Sequence, residues 1–256
     1  MIIDTHAHYD DEQFDTDRET LMDSMKKNDV GIIINSGASL ESCRSTIRLT
    51  EQYPFVYGSL GIHPDQVGEL NEESFSWLRE QCGREKIVAV GEIGLDYYWD
   101  KEHHDLQKQW FVRQLELAGE LNLPVVIHSR EAAADTMETM KKHGMGLGGT
   151  IHCYSYSVEM AREYVKMGFH IGVGGVVTFK NAKKLKEVVA EIPLERIVLE
   201  TDCPYLAPVP NRGKRNSSLN IKYVAEEIAR IKNIGYDVVV EQTEQNARSL
   251  YRLDAE

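Results

Sequence analysis

Short apolar runs alternate with amphipathic stretches along the whole chain. Met1-Ile2-Ile3 opens a buried strand that runs into Asp4-Thr5-His6-Ala7-His8. A helix is predicted from Arg18 to Asn28, where Leu21, Met22 and Met25 form one stripe. Val30 to Asn35 reads as the second strand, and Leu40, Cys43 and Ile47 line the helix after it. Phe55 to Ile62 gives a third strand, followed from about Glu72 by a helix with Phe75 and Leu78 inward. Ile87 to Glu92 gives a fourth, with Gly94 to Trp99 as a loop and a long helix whose apolar face is Leu106, Trp110, Leu117 and Leu121. Pro124 to His128, Thr150 to His152, Phe169 to Val173 and Arg196 to Asp202 complete the strands. Further helices are predicted over Val158 to Met167 and Ala182 to Glu191, and two more after Ser218 and Asp237.

Near-continuous apolar strands joined by helices predict a parallel sheet covered on its outer side. Eight such units favour a closed (β/α)8 TIM barrel over an open doubly wound sheet, since no glycine-rich dinucleotide fingerprint follows strand one. The length of 256 residues agrees with the ~250 of such a barrel. No proline- or serine-rich linker interrupts the chain, so one domain is expected over residues 1–256. The start of the chain lacks a basic flank before a long apolar run, and no run approaches the ~20 residues of a membrane span. Cys43, Cys82, Cys153 and Cys203 are scattered, without a C-x-x-C pair. Reduced thiols and a cytoplasmic location are the expectation, with no membrane and no obligate protein partner.

Charge narrows the chemistry. The 29 basic against 41 acidic residues leave a net charge of −12, which argues against embracing duplex DNA through many phosphate contacts. Any nucleic-acid activity must be local.

The polar residues at strand ends supply a local site. His6 and His8 stand i, i+2 on one strand face, about 7 Å apart along the chain. Asp4, on the same face, is placed to accept from a ring N–H. His63 ends strand three, Glu92 strand four, His128 strand five, His152 strand six and Asp202 strand eight. In a (β/α)8 barrel the carboxyl ends of the strands form the catalytic face, so these distant residues are expected round one mouth. A lone strand-end histidine is usually a hydrogen-bonded packing residue. Several from different strands, with a buried Glu92, instead suit a pair of divalent ions sharing a carboxylate and a water. The other histidines, His103, His104, His143 and His170, read as helix or strand-start residues. Cys153 and Cys203, each beside a proposed ligand, should point away from it in extended chain.

At these residues the chain resembles the TatD-type metal-dependent deoxyribonucleases of the amidohydrolase-like barrels. The matching stretches are Asp4-Thr5-His6-Ala7-His8, Gly61-Ile62-His63-Pro64, Gly91-Glu92-Ile93-Gly94-Leu95-Asp96-Tyr97-Tyr98, Leu123-Pro124-Val125-Val126-Ile127-His128-Ser129-Arg130, His152-Cys153-Tyr154-Ser155 and Glu200-Thr201-Asp202-Cys203-Pro204-Tyr205-Leu206. The resemblance implies that His6, His8, Glu92 and Asp202 hold one metal and Glu92, His128 and His152 the other, Glu92 bridging, with His63 at the substrate. One departure stands out. Where that family commonly reads Arg-Asn-Glu-Pro after strand eight, this chain has Arg215-Asn216-Ser217-Ser218.

The chemistry expected is hydrolysis by water activated between two divalent cations, magnesium, manganese or zinc. Catalysis falls to Asp202, His63 and Glu92, with Asp202 placed to take the proton. Two cations against Glu92 and Asp202 leave the site at about +2, so a phosphodiester is attracted there despite the acidic whole. Arg130, Arg212, Lys214 and Arg215, together with His63, are the candidate substrate contacts. Tyr97, Tyr98, Trp99, Tyr154 and Tyr156 suit stacking on an unpaired base and suit rim packing equally well. The leading expectation is an exonuclease-like deoxyribonuclease acting on single-stranded or frayed DNA ends, with RNA as a further substrate. Two other classes stay open: an aminoacyl-tRNA deacylase or other amidohydrolase-type amide or ester hydrolase, and a non-catalytic barrel with a structural metal.

Overall fold

A computed structural model describes residues 1–253, so residues 254–256 of the expected domain lie outside the described residues. The first half of the sheet is β1 (Ile2–Ala7), β2 (Val30–Ser36), β3 (Val56–Leu60) and β4 (Ile87–Asp96), alternating with helices α1 (Arg18–Ser24), α2 (Leu40–Gln52) and α3 (Glu72–Cys82). The second half is β5 (Val125–Arg130), β6 (Gly149–Ile151), β7 (His170–Val173) and β8 (Ile197–Leu199). With it come α4 (His104–Leu121), α5 (Ala133–His143), α6 (Val158–Lys166) and α7 (Lys183–Glu191), and then α8 (Ile221–Lys232) and α9 (Tyr236–Tyr251) close the chain. All eight strands follow one another in chain order in one sheet. Beyond β8 the chain returns beside β1 through a parallel bridge from Ala7 to Cys203. This is the expected (β/α)8 barrel.

Close contacts divide the fold into two compact units, one of Met1–Asn35, Cys153–Lys166 and the chain from His170 onward, the other of Ser36–His152 with Met167–Phe169. In the first unit every residue of β1 is buried, and α9 packs Val239, Ala247 and Tyr251 inward, in contact with β1 and β8. The Asn246 side-chain amide of α9 donates to the Leu194 and Ile197 carbonyls at 2.8 and 2.7 Å, fixing where β8 begins.

In the second unit all ten residues of β4 are buried. The strand runs four residues past the expected end at Glu92, taking in the stretch expected as loop. Gly94 permits it: at φ 151° its backbone lies so close to β5 that a Cβ would meet the His128 carbonyl oxygen at 1.9 Å. The buried face of α4 is also rotated from the expected stripe. Gln107, Trp110, Phe111, Gln114 and Leu117 are buried, while Leu106 is only half-buried. The two glutamines stand seven apart on one helix face. Gln107 bonds both the N–H and the carbonyl of Asp96, at 2.9 and 3.0 Å, and Gln114 does the same for Ile62, at 2.8 and 3.2 Å. Two positions leading into the strand-end chemistry are thus clamped by side-chain amides that hydrophobic patterning does not register. Helix α5, with buried Thr136 and Met140, is an addition to the expected elements.

His170 opens β7, buried, with no hydrogen-bond partner on Nδ1. Burial, helped by the charge of Arg196, pushes its pKa down to about 4, against a backbone hydrogen bond at Glu195 that raises it. An unfolded chain takes up this proton near its ordinary value of about 6.5, and the folded chain only near 4. The contribution is therefore intact above pH 6.5 and lost as the pH falls towards 4. His170→Gln is expected to lose about 2 kcal/mol less stability than the parent between pH 7 and pH 5, read from urea midpoints.

Candidate metal centre

In the first unit the chain after β8 lies against the end of β1. The N–H of Asp202 donates to the His6 carbonyl at 3.0 Å and the N–H of His8 donates to the Cys203 carbonyl at 2.8 Å. Asp202 adopts φ 57°, in the left-handed region, so it is not a residue of an extended strand as expected. The result is a compact donor set. His6 Nε2 and His8 Nε2 are 3.0 Å apart, and Asp202 Oδ1 lies 3.8 and 3.4 Å from them.

Asp4 does something other than expected. Its carboxylate is wholly buried and takes no ring N–H. Oδ2 accepts from the Thr201 and Ser218 hydroxyls, both at 2.6 Å, and Oδ1 accepts from the backbone N–H groups of Thr201 and His6 at 3.0 and 3.3 Å. Burial lifts its pKa to about 7, although the bonds from Ser218 and Thr201 pull the other way. Tyr9 extends the network, its hydroxyl bonding Ser218 Oγ at 2.9 Å and accepting from the Ser218 N–H at 2.8 Å. The Asn216 amide donates to the Thr201 carbonyl at 3.0 Å. The departure at Ser217-Ser218 therefore does not leave this loop idle: Asn216 holds Thr201, the residue before Asp202, directly, and Ser218 holds the Asp4 carboxylate that also bonds Thr201.

In the second unit Glu92 is the hub. Only 4% exposed, its Oε1 lies 2.8 Å from His128 Nδ1, 3.7 Å from His152 Nε2 and 3.8 Å from His63 Nε2. His63 is extended (φ −59°, ψ 145°), as Pro64 after it demands, and caps the short helical turn Pro64–Glu69. Its Nδ1 is paired with Asp65 Oδ1 at 2.5 Å, which leaves Nε2 facing Glu92. Ligand atoms of His63, Glu92 and His128 all fall within 4.8 Å of one another, so His63, assigned only to substrate by the resemblance, also stands among the potential ligands.

Asp96 was not in the expected set. Fully buried, its Oδ2 bonds His128 Nε2 at 2.9 Å. Burial alone would lower the pKa of His128, but the bonds to Asp96 and Glu92 outweigh it and raise it to about 9. A histidine held between two carboxylates carries a proton where a cation is wanted. The signal for Asp96 was present in Gly94-Leu95-Asp96, but assigning that stretch to a loop hid it.

Donor chemistry and spacing both fit divalent ions. Neutral imidazoles and carboxylates are the ligands of zinc and its neighbours, and atoms bound tetrahedrally at ~2.1 Å stand about 3.4 Å apart, inside the 3.0 to 3.8 Å found for His6, His8 and Asp202.

The expected substrate cations divide. Arg130 is exposed at the end of β5, its guanidinium 3.9 Å over the Tyr98 ring. Arg212 is exposed over Phe179 at 4.3 Å, and Lys214 is exposed. Arg215 is instead committed to Asp17, in two bonds of 2.8 and 2.6 Å, and to the Gln13 carbonyl. The pair holds the Asp17 carboxyl below its usual range and cancels the charge Arg215 was expected to offer. Cys153, at φ 44°, is not in extended chain, and its N–H donates to Glu200 Oε1 at 2.6 Å; Cys203 is fully buried. No helix of the described residues is long and apolar enough to cross a membrane.

Comparison with known proteins gives concordant results. The sequence profile described as TatD related DNase matches residues 3–252. The uncharacterized metal-dependent hydrolase YabD of Bacillus subtilis is 45% identical over 99% of this chain and 100% of its own length. The crystal structure of YjjV, a TatD homologue from Escherichia coli, superposes with a TM-score of 0.92 at 31% identity, covering 99% of this chain and 98% of that one. A TatD-family hydrolase from Entamoeba histolytica superposes with a TM-score of 0.88 at 25% identity, covering 98% of this chain and 97% of the other.

Proposed function

We propose that this chain, which belongs to the TatD-related DNase family of metal-dependent hydrolases, is a nuclease that cleaves phosphodiester bonds at single-stranded or frayed DNA ends, with RNA as a further substrate. The observation that carries this reading is the double donor set. His6, His8 and Asp202 would hold one cation, and Glu92, His128 and His152 another. When bound, the cations supply an activated water and neutralise charge on the phosphate. The rest belongs to the protein. Asp202, half-buried, is the carboxylate available to take the proton of the attacking water. Thr201, held through its N–H and hydroxyl by Asp4, fixes where Asp202 stands. With its Nδ1–H given to Asp65, His63 donates from Nε2 to a phosphate oxygen or to the leaving oxygen when the ring is doubly protonated. His6, His8, His63, His128, His152 and Asp202 each lie within three residues of the carboxyl end of their own strand, the end where this fold carries its catalytic residues, and Glu92 lies four residues before the end of β4. The exposed cations Arg130, Arg212 and Lys214 favour an anionic polymer over a neutral amide or ester.

Chelator-stripped protein is expected to leave end-labelled DNA intact and to regain cleavage when magnesium, manganese or zinc is restored, with a single strand cut faster than the matching blunt duplex. Cleavage of neither form with any metal, alongside release of an amino acid from charged tRNA, would replace this reading by the deacylase.

A further inference from the structure

Resting on the nuclease reading, we propose that Tyr98, Trp99 and Arg130 form a subsite for one unpaired nucleobase, and that Asp96 holds this subsite in register with His128.

Large aromatic side chains are normally well covered. Tyr98 is 41% and Trp99 65% exposed, with their rings edge to face at 4.9 Å. The Arg130 guanidinium lies over both, 3.9 Å from the Tyr98 centroid and 5.4 Å from that of Trp99. This corner offers ring faces and a delocalised cation together, the combination that receives a flat base on an anionic strand. Other aromatics near the strand ends are engaged elsewhere. Tyr97 stacks on His104 at 3.6 Å and gives its hydroxyl to Asp135, and Tyr154 is buried with its hydroxyl on the Ser157 carbonyl.

The corner is fixed rather than floppy, and one carboxylate fixes it. Asp96 Oδ1 accepts from the backbone N–H groups of Tyr98 and Trp99, both at 2.9 Å, while Oδ2 of the same group bonds His128 Nε2. Gln107 clamps the Asp96 backbone from below, and Asp96 pairs with Arg130 in the β4–β5 register. Ring platform, cation and metal-candidate histidine thus share one anchor. A base seated on the platform keeps its phosphate at a set offset from His128. Bases inside a duplex are already stacked and paired and do not present a face, so the platform selects a single strand.

The test compares a short oligothymidylate with bis(4-nitrophenyl) phosphate, a phosphodiester without a base, on metal-loaded protein. Trp99→Ala and Tyr98→Ala are expected to lower the ratio of kcat/KM for the oligonucleotide to that for the base-free diester by about 10-fold, chiefly through KM, and Trp99→Phe to restore most of it. An unchanged ratio in both alanine variants, whether through no loss or through equal losses on the two substrates, overturns the subsite. Failure of the nuclease reading looks different: the parent protein itself then hydrolyses the base-free diester and not the oligonucleotide.

Discussion

Asp202→Asn is expected to slow oligonucleotide cleavage by roughly 10²- to 10⁴-fold and to lower bound metal in the same preparation. An amide keeps the size of the side chain and its left-handed backbone position, since asparagine tolerates that region. What it removes is the charge. His6 and His8 then face a neutral oxygen across the 3.8 and 3.4 Å now spanned to a carboxylate, and the trio no longer offers a carboxylate to take a proton from water. Metal analysis after gel filtration, beside steady-state cleavage, reads both effects. Parental turnover with full metal would remove Asp202 from the mechanism.

The second large effect separates catalysis from metal retention. His63→Ala is expected to keep its fold and metal and still lose roughly 10²- to 10⁴-fold in rate, the range of a positioned proton donor. The fold should survive because the backbone there is held independently, by Gln114 on Ile62 and by the proline that follows. The loss should appear in kcat, since a hydrogen bond to the leaving oxygen strengthens as charge develops on it. The structure sharpens the alternative. With Nε2 only 3.8 Å from Glu92 Oε1, a ligand role for His63 predicts that metal falls together with rate, and parental rate with full metal marks it as a packing residue. Asp65→Asn, which weakens the orienting bond to Nδ1, should reproduce a milder form of the same kcat defect.

Much of this was legible from the chain because barrel strands end abruptly. An apolar run that stops at a histidine or an acid suggests both a strand and a residue near its carboxyl end, and His6, His8, His63, Glu92, His128 and His152 were all expected on that ground, although β4 runs on from Glu92 to Asp96. What stayed hidden was pairing at long range. Asp17 lies 198 residues from Arg215 and cancels it, which no local pattern records. Asp96 was obscured because glycine in an apolar run reads as a break, whereas Gly94 marks two strands in close approach. Gln107 and Gln114 were passed over because hydrophobic periodicity scores a glutamine as outward. A buried amide that bonds both a backbone N–H and a carbonyl is as much a core residue as leucine.

Asp4 carries a consequence for the order in which the molecule is made. Three of its four hydrogen bonds come from Thr201 and Ser218, which are synthesised some 200 residues after it. Until then β1 carries a carboxylate that is costly to bury and has no reason to settle. His6 and His8 follow that residue on the same strand, and their donor set waits for Asp202 as well. The Glu92 set, complete by His152, does not wait in this way, so the two donor sets are completed at different points of synthesis.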